Sequence, residues 1–225
     1  MPEKYYQDNL YPLQDKVLKK IQDAESDFYL TGGTALSRCY LKHRYSDDLD
    51  LFVNDQSNFK EQCELTISIL KKSYCELTIT TASPSFVRLM LEDKKITLKV
   101  DFVNDIPFHY GNITKHNIYH RVDNWRNILS NKICALSRHD PKDLIDIIFI
   151  AEKYEFDWVE IIRDAKNKDL WVEPLEVSKL ISNFPRKLIE SIKWIKNKDQ
   201  HKIASMIEIL HSDIFYGKKN SLQIK

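Results

Sequence analysis

The segment Ser46-Asp47-Asp48-Leu49-Asp50-Leu51 carries the most pointed chemistry in the chain. Leu49, Leu51 and Val53 alternate with Asp48, Asp50 and Phe52, the period of a strand with two faces. Residues i and i+2 of a strand share a face, so Asp48 and Asp50 stand side by side. Two adjacent like charges cost energy unless something neutralises them, and a hard divalent cation such as Mg²⁺ suits carboxylate oxygens. A bare Asp-x-Asp reads first as a solvated strand face. A third acid changes that balance. In Ile96-Thr97-Leu98-Lys99-Val100-Asp101-Phe102-Val103 the apolar residues Ile96, Leu98, Val100 and Phe102 alternate with Thr97, Lys99 and Asp101. If this strand lies beside the first, Asp48, Asp50 and Asp101 converge as metal ligands. That is the arrangement of a two-ion phosphoryl-transfer site, with the ions about 4 Å apart. On its own, Asp101 would read as the end of a strand near a loop.

Upstream, Gly32-Gly33-Thr34 falls between the strand-like run Phe28-Tyr29-Leu30 and a helical segment over 34–43. Glycines let a backbone approach phosphate, and a helix start presents unpaired N–H groups with partial positive charge. A nucleoside triphosphate (NTP) is expected to rest there on Gly32 and Gly33, with Thr34 donating its hydroxyl. A lone Gly-Gly is a weak signal. The order strand, Gly-Gly-Thr, helix, Asp-x-Asp is a much stronger one.

The elements that must position these residues follow from periodicity. A helix is expected around Val17, Leu18 and Ile21 and another over 59–74, with strands at 77–81, 86–91 and 96–103 and a hairpin turn at 92–95. After a loop over 104–121 the patterns turn helical: 125–138, 141–154, 158–168, 174–183, 185–196 and 201–214. Pro141, Pro174 and Pro185 suit first-turn positions. The fold class is α/β (α+β). A small mixed β-sheet flanked by helices is expected over 1–115 and an all-helical domain over 116–225. The tail, 216–225, is polar and reads as loose.

Bulk properties narrow the setting. The 225 residues suffice for one large domain or two small ones, and a net charge of +1 singles out neither an acidic nor a basic partner. The four cysteines, Cys39, Cys63, Cys75 and Cys134, form no CxxC pair and no zinc spacing, which reads as free thiols in the cytoplasm. No apolar stretch approaches the roughly 20 residues of a membrane span; 144–151 is broken by Asp146. His109, His116 and His120 read as solvated loop residues, and Tyr5, Tyr6 and Tyr11 as packing rather than base-stacking groups. From Arg186 onward nine basic residues face four acidic ones, in most cases a solvated helix face but also a candidate RNA-backbone surface.

Tyr29-Leu30-Thr31-Gly32-Gly33-Thr34-Ala35-Leu36 followed by Arg44-Tyr45-Ser46-Asp47-Asp48-Leu49-Asp50-Leu51 resembles the AbiEii/AbiGii-type nucleotidyltransferase toxins of the polymerase-β-like superfamily. The resemblance extends to Lys132-Ile133-Cys134-Ala135-Leu136, Arg138 and Lys142-Asp143-Leu144-Ile145-Asp146 and covers roughly 28–150. Lys142 replaces a common Arg, Ile147 a common Leu, and the Lys-to-Arg spacing is one residue short. The resemblance implies transfer of a nucleoside monophosphate from an NTP with two Mg²⁺ ions, by a toxin of a toxin–antitoxin or phage-defence system with a cognate antitoxin. The acceptor it implies is RNA, the tRNA 3′ end. Transfer to a small molecule, as in aminoglycoside-type enzymes, or to a protein side chain is the alternative, and a non-catalytic nucleotide binder a further one. It implies nucleotide contacts by Arg44, Ser46 and Asp143 beside Gly32, Gly33 and Thr34, and leaves open whether Asp143 or Asp146 is the functional carboxylate.

The residues themselves single out Lys132 and Asp146. Lys132 lies on the helix stripe of Ile128, Leu129, Ile133 and Leu136, and Asp146 interrupts an apolar run. Charged groups are rarely buried without a partner. Either the two form a structural ion pair, or Lys132 reaches a triphosphate held between the halves with Asp146 near it or the metals.

Overall fold

A computed structural model describes residues 2–74, 76–196 and 199–223. Cys75, Lys198 and Lys225 lie outside them. The chain divides into two compact units: Met1–Cys39 with Tyr45–Asn124, and Tyr40–Arg44 with Trp125–Lys225. The loop that follows the last strand stays with the first unit as far as Asn124.

The first unit is a mixed α/β fold. Its strands are β1 (Tyr29–Thr31), β2 (Leu49–Asn54), β3 (Glu76–Ser83), β4 (Phe86–Asp93) and β5 (Ile96–Asp105), in the order β1-β2-β5-β4-β3. β2 and β5 run parallel, and the other neighbours run antiparallel. The alternation read from the sequence sets the two faces: Leu49, Leu51 and Val53 of β2, with Leu98, Val100 and Phe102 of β5, are all buried. Helices α1 (Pro2–Tyr5), α2 (Tyr11–Gln22), α3 (Gly32–Ala35) and α4 (Phe59–Ser73) accompany the sheet. π-helical turns follow α1 at Tyr6–Leu10 and α3 at Leu36–Leu41. Phe28 joins α4 to the sheet, its ring 6.0 Å from Phe59 and 4.8 Å from Phe102.

The helical unit contains α5 (Trp125–Ala135), α6 (Pro141–Lys153), α7 (Trp158–Lys168), α8 (Pro174–Ser182) and α9 (Gln200–Phe215). Pro141 and Pro174 open their helices as expected. Asp140, Asp157 and Asp199 cap α6, α7 and α9, each side chain accepting from the backbone N–H two residues on. Every residue of α6 from Asp143 to Ala151 is buried, so Asp143 and Asp146 are taken out of water along with the apolar residues around them.

Three expectations need correction. The helix expected over 185–196 is only a 3₁₀ segment, Arg186–Ser191. Beyond it, Trp194 bridges to Arg44, and Ile195 N–H donates to the His43 carbonyl at 3.3 Å, so the backbone pairs sideways rather than with its own next turn. The tail is pinned as far as it is described. Buried Asn220 donates to the carbonyls of Ala151 (2.7 Å) and Tyr154 (2.8 Å), and Ser221 is held by Asp213. The loop histidines are not freely solvated. His109 Nε2 lies 3.0 Å from the Asp123 carboxylate and its ring edge meets Tyr29, while burial lowers the pKa of His116 and of His120.

Candidate active site

The parallel register of β2 and β5 places Asp50 directly opposite Asp101, on the face turned away from the leucine and valine layer. The antiparallel register of β4 adds Arg88 opposite Asp101. Arg88 holds Asp101 through two bonds, Nε and Nη2 each donating at 2.8 Å. Lys99, one step back on β5, meets Asp48 at 2.7 Å. Partial burial pulls the Lys99 pKa down, but the hydrogen bond and charge of Asp48 outweigh it and hold the ammonium above its ordinary value. Arg88 also titrates above its usual range, chiefly through its bonds to Asp101. The polar face thus carries three carboxylates with two cations laid against them.

The Gly-Gly turn lies against this face. Gly32 has φ +66°, a left-handed conformation open to glycine, and a Cβ there would fall 2.3 Å from Asp50 Oδ2. The turn and the carboxylate fit only because that position has no side chain. Gly33 and Thr34 are buried, and the Thr34 hydroxyl donates to the Asp48 carbonyl, tying the helix start to the acidic strand. Thr31, the register partner of Asp50 on β1, donates to buried Asp123 at 2.6 Å. Ser46 is buried, its carbonyl accepting from Gln14 Nε2 at 3.2 Å.

The remaining candidates form a separate cluster in the helical unit. Asp146 is fully buried and accepts from Arg44 Nε and Nη2 at 2.7 Å each, with His43 Nε2 at 2.8 Å and Lys132 Nζ at 2.9 Å. Lys132 also reaches Asp143 at 2.7 Å. Burial alone would raise the pKa of Asp146. Arg44 and then Lys132, with the His43 and Arg44 hydrogen bonds, reverse this and hold it well below the carboxylate range. Burial likewise pulls Lys132 down, while Asp146 and Asp143 outweigh it and raise it. Arg44 is 2% exposed and spent on this cluster.

His43 makes the cluster pH-sensitive. Burial lowers its pKa against the opposing pull of Asp146, and its Nδ1 is buried with no hydrogen-bond partner among the described residues. The unfolded chain therefore takes up a proton below about pH 6.5 that the folded chain resists until a lower pH. Stability of this unit is expected to fall as pH drops from about 6.5 toward the folded pKa, by at most about 1.4 kcal/mol per pH unit. All four tryptophans lie at or beyond Trp125, so urea titrations read by tryptophan fluorescence report this unit. The decline should be shallower in His43→Asn.

Sequence reading passed over Arg88, Asp123, Gln14 and the His43–Arg44 pairing with Asp146. Arg88 was within reach: counting back from the hairpin pair Asp93↔Ile96 puts it opposite Asp101. The others depend on long-range contacts with no local signal.

The family model for the nucleotidyl transferase AbiEii toxin of type IV toxin–antitoxin systems matches residues 16–208. The chain belongs to this family. As an AbiEii-family protein it is a nucleotidyltransferase, and a toxin–antitoxin system implies a cognate antitoxin. Its fold is similar to that of JHP933 from Helicobacter pylori, with a TM-score of 0.63 and 22% identity, over 92% of this chain and 91% of that one. A second solved structure, a candidate nucleotidyltransferase from H. pylori, gives a TM-score of 0.61 and 20% identity, over 90% of this chain and 93% of that one. No curated protein matches the chain. No helix among the described residues is long and apolar enough to cross a membrane.

Proposed function

We propose that this AbiEii-family protein transfers a nucleoside monophosphate from an NTP to a hydroxyl of RNA, at the 3′ end of tRNA, with Mg²⁺ as cofactor. The observation that carries the reading is the polar sheet face on which Asp50 and Asp101 are register partners, with Gly32 packed against Asp50.

The donor set fits a hard divalent ion, since carboxylate oxygens are the ligands Mg²⁺ prefers and two adjacent acids need a counter-charge. Among the described residues no three His, Cys, Asp or Glu side chains gather around one point. Lys99 and Arg88 supply counter-charge to Asp48 and Asp101 instead. Lys99 and Asp48 are each about a third exposed, so turning Lys99 aside costs little, whereas Arg88 gives up a two-bond pair with buried Asp101. Asp48 and Asp50 are the proposed pair for two Mg²⁺ ions, with Asp101 as the third ligand. When bound, Mg²⁺ supplies charge stabilisation to the phosphoryl oxygens.

The chain's own groups then act as follows. The backbone at Gly32 and Gly33 lies against the triphosphate, and Thr34 keeps that turn in place through Asp48. The acceptor oxygen attacks the α-phosphorus, the bond to the β-phosphate oxygen breaks, and pyrophosphate leaves. Asp101, released from Arg88, accepts the proton of the attacking hydroxyl. For Arg44, Lys132, Asp143 and Asp146 we propose a supporting role, because their charges are already spent on one another.

Incubating the protein with each α-labelled NTP, Mg²⁺ and total RNA tests the acceptor. Label is expected in the tRNA band, with transfer weakening as salt rises and less steeply after neutralisation of exposed Lys193 and Lys196. Label in a small molecule or in protein, with RNA unlabelled, would overturn the RNA reading.

A further inference from the structure

The loop 45–48 delivers Asp48 and Asp50 into β2 from a stretch with no regular structure of its own. Such a stretch needs outside partners to hold one conformation. Most of these come from the N-terminal helical segment, at Tyr6, Tyr11 and Gln14, ahead of the residues matched by the family model.

Gln14 is fully buried in a polar role. Its Nε2 donates to the carbonyls of Ser46 and Asp47, both at 3.2 Å. Its Oε1 accepts from Arg38 Nη1 at 3.2 Å. Arginine can only donate, so Arg38 fixes which end of the amide faces it and leaves the NH₂ for the loop. Arg38 is itself held by Asp15 at 2.7 Å and lies over the Tyr11 ring at 4.4 Å. The Tyr11 hydroxyl receives the Ser46 N–H at 3.4 Å. Tyr6 stacks on Tyr45, ring centroids 4.2 Å apart and planes 11° from parallel, and its hydroxyl donates to Asp47. From the other side Thr34 holds the Asp48 carbonyl.

The sequence offers two consecutive acids before Leu49, and strand parity makes the choice between them matter. A slip of one residue would turn Asp47 and Leu49 to the polar face and bury Asp48 and Asp50. We infer that Tyr6, Tyr11 and Gln14 are positioning residues that clamp the loop 45–48, draw the Asp47 carboxylate aside and so present Asp48 and Asp50 to the metal. This rests on the reading of Asp48 and Asp50 as metal ligands.

The test is Mn²⁺ binding to the full chain, followed by the electron paramagnetic resonance signal of free Mn²⁺, without nucleotide or acceptor. Tyr6→Phe keeps the stack on Tyr45 and removes only the hydroxyl. Gln14→Glu keeps the shape and replaces the donor facing two carbonyls by an acceptor. Each is expected to raise the Mn²⁺ Kd about tenfold or more, the usual effect of removing a group that orients a ligand. Asp48→Asn is expected to abolish binding. If Asp48→Asn abolishes binding while Tyr6→Phe and Gln14→Glu bind within about twofold of wild type, against the roughly tenfold expected, the clamp is refuted and the metal assignment stands. If Asp48→Asn binds Mn²⁺ as wild type does, the metal assignment itself fails and this inference with it. Should Gln14→Glu not fold, Tyr6→Phe decides alone.

Discussion

Asp48→Asn and Asp50→Asn are each expected to lower nucleotide transfer by roughly a thousandfold or more, about 4 kcal/mol of lost transition-state stabilisation. The protein should stay folded. Asp48 and Lys99 are each about a third exposed, so breaking their pair costs under about 1 kcal/mol. At Asp50 the amide of Asn occupies the same volume against Gly32. Steady-state transfer assays beside thermal melts check both halves of the expectation. A large loss of activity with a melting point within a few degrees of wild type places the effect in the chemistry. Near-normal transfer by either variant with Mg²⁺ would remove that carboxylate from the site.

The second large effect falls on stability. Asp146→Asn leaves the Arg44 guanidinium buried without its carboxylate and should cost about 3–5 kcal/mol. Lys132→Met should cost less. Arg44 still holds Asp146, and the chief loss is the partner of Asp143, whose side chain is 11% exposed. The double variant Arg44→Met/Asp146→Asn should recover part of the Asp146→Asn loss, because it removes the stranded charge along with its partner. Urea denaturation read by tryptophan fluorescence measures all four proteins. If Lys132→Met is the more destabilising single change, or if the double variant recovers nothing, the cluster does not work as Asp146 held mainly by Arg44. A loss of NTP affinity in folded Lys132→Met would return Lys132 to the triphosphate.

The order of strand, Gly-Gly turn, helix and acidic strand was legible in the sequence because each step has a short-range signature. Leu49, Leu51 and Val53 mark one strand face by period, and Pro141 and Pro174 mark helix starts. Of the neutralising partners, Arg88 follows from the hairpin register, but Lys99 does not. Lys99 was placed on the right face, yet its pairing with Asp48 depends on β5 running parallel beside β2, which no local pattern encodes. Arg44 sits two residues before Ser46, and the family resemblance implies a nucleotide contact for it; its pairing with Asp146, about a hundred residues on, has no local signal in the sequence. The segment 192–196 has helical periodicity, and its backbone pairing with His43 and Arg44 overrides it. Asn220 and Ser221 looked like a polar tail because hydrogen bonds to Ala151, Tyr154 and Asp213 satisfy them instead of water.

On the proposed function, the polar face of the sheet transfers a nucleotide rather than a phosphate. One measurement tests it most directly: parallel reactions with NTP labelled at the α- or the γ-phosphate, with Mg²⁺, for wild type and Asp48→Asn. Wild type is expected to move the α-label to the acceptor and to release the γ-label as pyrophosphate, and Asp48→Asn to move neither. Transfer of the γ-label to the acceptor, or α-label transfer undiminished in Asp48→Asn, would contradict it.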